Sequence, residues 1–356
     1  MLVMKALVHT APYTFDLRDV DRPAVKPDEV LVRVKAVGIC GSDVHGMTGT
    51  TGRRIPPVVM GHEASGEVLE LGSPDLFYSA GGGTGAITVG DRVTFDSTIY
   101  CNRCDYCLSG RINLCRNRRV LGVSCDEYRR DGAMAELVAI PAHILYPIPD
   151  TLDFHRAALI EPCSIAFHAV QRHHARFNET VHVVGCGIIG LLTILSARAA
   201  GCGRIIATDL KAERLEKARR LGAEVVINAG DGSAARAVRD ATGGDGADVC
   251  FEAVGVEPTV KLAIESVKKG GPVVLIGNVT PEVSVPLQRI VTGELDVLGS
   301  CASAGEYAAC VAMVASGRLD VGPLISEVAP LDRGASWFER LHEGTDGLFK
   351  VILEPS

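Results

Sequence analysis

The chain has 356 residues, a formal net charge of −7, 22% charged and 47% hydrophobic residues, and twelve cysteines. That length exceeds one ordinary hydrophobic core and predicts two domains, while the acidic balance leaves no electrostatic case for nucleic acid or an anionic membrane. No signal-peptide pattern opens the sequence, and apolar runs such as "IIGLLTILSARAA" stop short of the ~20 residues a membrane span requires. The cysteines therefore read as thiols of a reducing, cytoplasmic compartment, where clusters bind metal rather than pair.

Residues 1–158 read as an irregular β-rich unit, with short alternating runs such as "EVLVRVKAVG" broken by Gly, Pro and Asp turns. The first chemistry-bearing stretch is "GICGSDVHG", with Cys40, Ser42, Asp43 and His45. "GHEASGEV" follows with His62 and Glu63. Thiolate, imidazole and carboxylate together are the donor set of an open catalytic zinc that keeps a position for water. His62 and Glu63 are neighbours, so both face one ion only if the backbone turns there. Residues 73–89, glycine-rich at 81–85, read as a solvated surface insertion. "CNRCDYCLSGRINLC" then places Cys101, Cys104, Cys107 and Cys115 at C-x2-C-x2-C-x7-C spacing. Four thiolates closing a tetrahedron describe a structural zinc. An iron–sulfur cluster uses similar spacing, but the Cys-Pro ending of that motif is missing.

The stretch "ALIEPCSIAFHAV" offers Glu161, Cys163 and His168, with Pro162 placed to open a helix. From about residue 180 strands and helices alternate, and six short apolar strands predict a parallel sheet covered on both faces. "VHVVGCGIIGLL" carries Gly185, Gly187 and Gly190 as G-x-G-x-x-G after a buried strand, and Asp209 ends the next strand. That context is a dinucleotide fingerprint, with the pyrophosphate at the helix N-terminus and Asp209 on the ribose hydroxyls. A carboxylate there favours NAD over NADP, though Lys211 and Arg214 follow closely, and Arg214 is placed to stack on the adenine. After residue 301 the chain reads as helix, loop, helix and a final strand, "FKVILEP", that returns to the first domain.

These motifs, in this order, resemble those of the zinc-dependent medium-chain dehydrogenases, above all the sorbitol (polyol) dehydrogenase branch, with threonine and butanediol dehydrogenases nearby. The resemblance covers essentially the whole chain. It implies an α/β protein with a GroES-like catalytic domain (1–158 and 302–356) and a Rossmann doubly wound domain (159–301), assembled as a homodimer or homotetramer. It implies NAD and two zinc ions per chain. Cys40, His62 and Glu63 would hold the catalytic zinc, with Glu161 as an exchanging or water-bridged ligand, while Cys163 would be buried packing and His168 would pack near the cofactor cleft. Ser42 would take the substrate proton and His45 pass it to solvent, with Asp43 orienting His62. Ile188, Ile189, Val254 and Gly277 would join the three glycines, Asp209 and Arg214 at the cofactor.

Sorbitol dehydrogenases carry an Arg-Tyr pair near the strand end where this chain reads "LGSCASAGEY". The substrate expected is therefore a secondary alcohol on a polyol, sugar-like or cyclic skeleton, with specificity shifted from sorbitol. The alternatives are threonine oxidation, with Arg53 and Arg54 holding the amino acid's carboxylate, and a non-catalytic nucleotide sensor. A zinc-ribbon nucleic-acid module, suggested by the cysteine lobe alone, fails on the acidic balance.

Overall fold

The computed structural model describes residues 3–78, 85–124, 129–344 and 347–355. The chain divides into two units, Met1–Glu161 with Ser303–Ser356, and Pro162–Ala302. The first unit opens with strands β1 (Val3–Ala11), β2 (Thr14–Asp21), β3 (Glu29–Gly38), β4 (Val58–Val59), β5 (Glu63–Leu71), β6 (Arg92–Phe95), β7 (Thr98–Ile99), β8 (Arg119–Val120), β9 (Leu137–Pro141) and β10 (Leu145–Pro147). Helices α1 (Gly41–Gly46), α2 (Asp105–Leu108) and α3 (Phe154–Ala158) accompany them, and α4 (Ile160–Arg172) runs across the division.

The second unit continues with β11 (Val181–Val184), α5 (Ile188–Ala199), β12 (Ile205–Asp209), α6 (Ala212–Arg220), β13 (Val225–Asn228), α7 (Ala234–Ala241), β14 (Val249–Glu252), α8 (Glu257–Ser266), β15 (Pro272–Leu275), α9 (Leu287–Gly293) and β16 (Asp296–Gly299). The tail adds α10 (Tyr307–Ala315), β17 (Ile325–Pro330), α11 (Gly334–Glu343) and β18 (Lys350–Glu354) to the first unit.

Strand β3 organises the first unit. One edge pairs antiparallel with β5, from Val30 opposite Leu71 to Gly38 opposite Glu63. The other edge is shared, with β9 on residues 29–33 and β18 opposite Val37 and Gly38. Nearly every residue of β3 is buried, as expected of a strand paired on both edges. Val30, Val32, Val34 and Val37 join Phe95, Leu145 and Leu353 in one core. Strand β17 pairs parallel with β18. Residues 325–330 form this strand where the sequence predicts a loop, because "ISEVAP" mixes charge with a terminal proline and buries little.

The 73–89 segment also differs from the solvated loop expected. Phe77 bridges Ala86, the Ile87 amide donates to the Leu76 carbonyl, and Tyr78 and Ile87 are buried. Residues 79–84 lie outside the described part.

In the second unit the strand order is β13-β12-β11-β14-β15-β16, all parallel. The order reverses between β11 and β14, which is where doubly wound sheets bind ligands. Behind that point lies the buried His182. Its Nδ1 is 2.7 Å from Ser266 Oγ and its Nε2 is 3.1 Å from Thr208 Oγ1. Burial lowers its pKa to about 3. The folded protein thus refuses a proton that the unfolded chain accepts below about pH 6.5. The stabilisation is complete above that pH and is lost as pH falls toward 3, with a slope of about 1.4 kcal/mol per pH unit. Denaturant unfolding at several pH values should show a shallower acid slope for His182→Asn than for the unmodified protein. Equal slopes would contradict this account.

Candidate functional site

Two groups of metal-ligand side chains form among the described residues. The first is Cys40, His62 and Glu63, whose donor atoms all lie within 4.8 Å of one another. Cys40 caps the N-terminus of α1, and its sulfur accepts from the Ser42 amide at 3.4 Å and the Ser42 hydroxyl at 3.3 Å. The turn that lets adjacent residues share a site is made by Gly61, with φ +97°, immediately before His62 and the start of β5.

His62 Nδ1 stands 3.5 Å from Asp43 Oδ2, which leaves Nε2 for a metal. Glu63 is 1% exposed and engages Lys350 Nζ through Oε2 at 2.6 Å, while its Oε1 is buried with no hydrogen-bond partner. An orphaned carboxylate oxygen beside a thiol and an imidazole is the condition a divalent cation relieves. The donor set therefore fits zinc. Burial, followed by the Glu63 carboxylate, pushes the Cys40 thiol up, so a bound cation is what would hold it as thiolate.

Glu161, in the first turn of α4, is buried outside this three-residue set. Its Oε1 accepts from Ser97 Oγ at 2.9 Å. Burial raises its pKa to about 7, with His62 and the Ser97 bond opposing and Glu63 reinforcing. The Ser97 amide donates to the Tyr307 hydroxyl at 3.3 Å, and Tyr307 stacks on Tyr146 with ring centroids 4.9 Å apart. The phenol of "GEY" is thus an interior support for the Ser97 backbone. Cys163 and His168, further along α4, are buried. Ser42 and His45 are exposed on α1, and Asp43 between them is wholly buried.

Three residues play parts here that the sequence alone does not assign them. Lys350, 1% exposed, donates to Glu63 and to the Ile39 carbonyl. Burial alone would lower its pKa, but Glu63 and Cys40 hold it raised. Ser97 holds Glu161. Arg54 is 5% exposed and bonded to Asp43. The expectation that Arg54 is a solvated or carboxylate-binding loop residue is therefore corrected, while Arg53 is exposed.

The second group, Cys101, Cys104, Cys107 and Cys115, likewise places its four sulfurs within 4.8 Å of one another. The Cys101 and Asn117 amides donate to Cys115 Sγ, each at 3.3 Å. With four sulfurs and no further side-chain donor, this set can hold a closed tetrahedral ion.

In the second unit, a Cβ on Gly190 would meet the Gly185 carbonyl oxygen at 1.8 Å, so only glycine lets α5 pack this closely. Gly187 caps α5 without a side-chain bond, and a Cβ there would meet nothing within 4 Å. Open space beside a helix N-terminus is what a pyrophosphate needs, and Ile188 and Ile189 follow in the first turn of α5. Asp209 accepts from the Cys186 amide through Oδ2 at 2.7 Å and from the Lys211 amide through Oδ1 at 2.9 Å. Arg214 Nη1 approaches it to 3.9 Å. Val254 and Gly277 lie at the ends of β14 and β15, their backbones in close contact.

A dinucleotide-binding sheet and a GroES-like unit with zinc-ligand clusters define a nicotinamide- and zinc-dependent oxidoreductase. The chain belongs to the zinc-type medium-chain alcohol dehydrogenases, on the polyol side of that family: residues 26–150 match the alcohol dehydrogenase GroES-like domain and residues 189–316 the zinc-binding dehydrogenase domain. It is 33% identical to a sorbitol dehydrogenase of Bacillus subtilis (strain 168), over 99% of this chain and 98% of that protein. It is 35% identical to an L-idonate 5-dehydrogenase of Vitis vinifera, over 85% of this chain and 81% of that protein. Among solved structures, a putative zinc-binding dehydrogenase of Sinorhizobium meliloti 1021 bound to NADP aligns over the full length of both chains, with 33% identity and a TM-score of 0.89.

Proposed function

We propose that the protein oxidises a secondary alcohol of a polyol, sugar-like or cyclitol substrate to the ketone, reversibly and with NAD. The compact Cys40–His62–Glu63 donor set with the Ser42 hydroxyl beside it carries the reading, and the polyol-acting relatives support the substrate class. Zinc, when bound, supplies the Lewis acidity that lowers an alcohol's pKa, and the nicotinamide supplies the hydride acceptor.

The chain's own residues do the rest. Cys40, His62 and Glu63 hold the metal, and Asp43 fixes the ring of His62 from behind. Glu161, steadied by Ser97, would serve as the exchanging or water-bridged carboxylate. Zinc with one thiolate, one neutral imidazole and one carboxylate is formally neutral, so a permanent second carboxylate would weaken the metal as a Lewis acid. Ser42 Oγ receives the substrate proton, and the exposed His45 delivers it to solvent. Cys101, Cys104, Cys107 and Cys115 hold a second, structural zinc. Asp209 selects NAD, since its carboxylate pairs with free ribose hydroxyls and repels a 2′-phosphate.

The deciding experiment is a panel of secondary alcohols, polyols, cyclitols, aminocyclitols and amino acids, assayed with NAD and with NADP by reduced-nicotinamide absorbance. We expect activity across several polyol or cyclitol substrates and a higher kcat/KM with NAD. Strict activity on sorbitol alone, or on threonine alone, would overturn the substrate reading. Equal use of NADP would overturn the role given to Asp209.

A further inference from the structure

Arg54 has no place in the mechanism above, yet its guanidinium is one of the most completely buried charges in the first unit, with its side chain 4% exposed. Two of its nitrogens converge on one oxygen of Asp43, Nε at 3.0 Å and Nη2 at 2.7 Å. The other Asp43 oxygen is the one facing His62 Nδ1. Nη2 also reaches Ser42 Oγ at 3.4 Å, and Nη1 donates to the Arg53 carbonyl at 3.2 Å. One guanidinium thus touches both the carboxylate behind a metal-ligating histidine and the hydroxyl that faces Cys40.

The surroundings are shaped for this side chain. A Cβ on Gly46, the last residue of α1, would meet Arg54 Cγ at 2.3 Å and Cβ at 3.2 Å. Those are stem atoms with little freedom to move aside, so glycine is the residue that lets the arginine pass beneath the helix.

We infer that Arg54 is a positioning residue for the catalytic zinc site, fixing Asp43 against His62 and orienting the Ser42 hydroxyl. The physical need is a cation that never loses its proton. Asp43 is wholly buried, and a histidine that binds metal is neutral, so His62 cannot balance the carboxylate. An arginine stays charged at every working pH, and two of its nitrogens anchor the same carboxylate oxygen, Asp43 Oδ1. With Oδ1 pinned, Oδ2 is held on the side of His62 Nδ1, 3.5 Å away. Arg54 thereby determines how firmly the imidazole is presented to the metal.

The inference rests on the zinc reading, and the test separates the two. Zinc affinity is measured by competition with a chromophoric chelator in the unmodified full-length protein, Arg54→Met, Arg54→Lys and Gly46→Ala, alongside kcat and KM. Loss of a group behind a metal ligand commonly weakens affinity about 10–100-fold. We expect a loss of that size in Arg54→Met, confined to the weaker zinc, with partial recovery in Arg54→Lys and an unchanged KM for the nicotinamide cofactor. Gly46→Ala keeps every charge and displaces only the stem, so it should shift the same affinity in the same direction by less. It also serves if Arg54→Met does not fold. If the unmodified protein binds only the four-cysteine zinc, the zinc reading fails. If it binds two and Arg54→Met, or Gly46→Ala in its place, keeps the weaker one within twofold, the role of Arg54 is overturned. The same holds if Arg54→Met changes only the KM of anionic substrates, which would make it a substrate anchor.

Discussion

Brief treatment with a mild chelator is expected to abolish activity while removing one zinc ion per chain and leaving the fold intact. The difference lies in how the two donor sets are closed. Cys101, Cys104, Cys107 and Cys115 offer four sulfurs, and a tetrahedral ion held by four thiolates has no position from which a competing ligand attacks. Cys40, His62 and Glu63 offer three donors, and the fourth position belongs to water or substrate. Metal content measured together with residual activity and circular dichroism decides the matter. Parallel loss of both ions, or a total of one zinc in the untreated protein, would sink the assignment.

Lys350→Met should be strongly destabilising, and its cost should depend on metal. Lys350 and Glu63 are each 1% exposed and joined at 2.6 Å. Removing one member of such a pair strands the other as a buried charge, at a cost of about 3–5 kcal/mol. An ion bound by Glu63 in the zinc-loaded protein would offset part of that cost, by the general linkage between ligand binding and folding. Denaturant unfolding of metal-free and zinc-loaded Lys350→Met should therefore show the larger loss in the metal-free form. Lys350→Arg, which keeps the charge, should recover much of it. Equal losses with and without zinc would mean that Glu63 does not face the metal.

The sequence was informative where chemistry is local. Cys40, His62 and Glu63 are unusual donor types set beside glycines, and the four cysteines announce their geometry through spacing. Gly185, Gly187 and Gly190 sit between a buried strand and a helix, so the second sheet could be read strand by strand. What stayed hidden depends on distant partners. A lone lysine opening "KVILE" looks like a solvent-facing strand end, and nothing near it reveals that Glu63 waits on the other side of β3. Arg54 looks like an ordinary loop arginine in the sequence, because its burial is created by Gly46 and Asp43 on the helix it packs against. Strand β17 was lost because its register comes from β18 rather than from its own alternation.

The position of β18 also bears on how the protein is made. Lys350 is 287 residues from Glu63 along the chain, and a chain emerges from the ribosome N-terminus first. Cys40, His62 and Glu63 are therefore all synthesised long before the cation that neutralises Glu63 exists. Until residue 350 is released, one edge of β3 at Val37 and Gly38 lacks its partner strand, and a buried carboxylate lacks its counter-charge. Closing so long a loop is a slow, late step. A product truncated before β18 would therefore carry the three donors without the lysine that holds Glu63 in place.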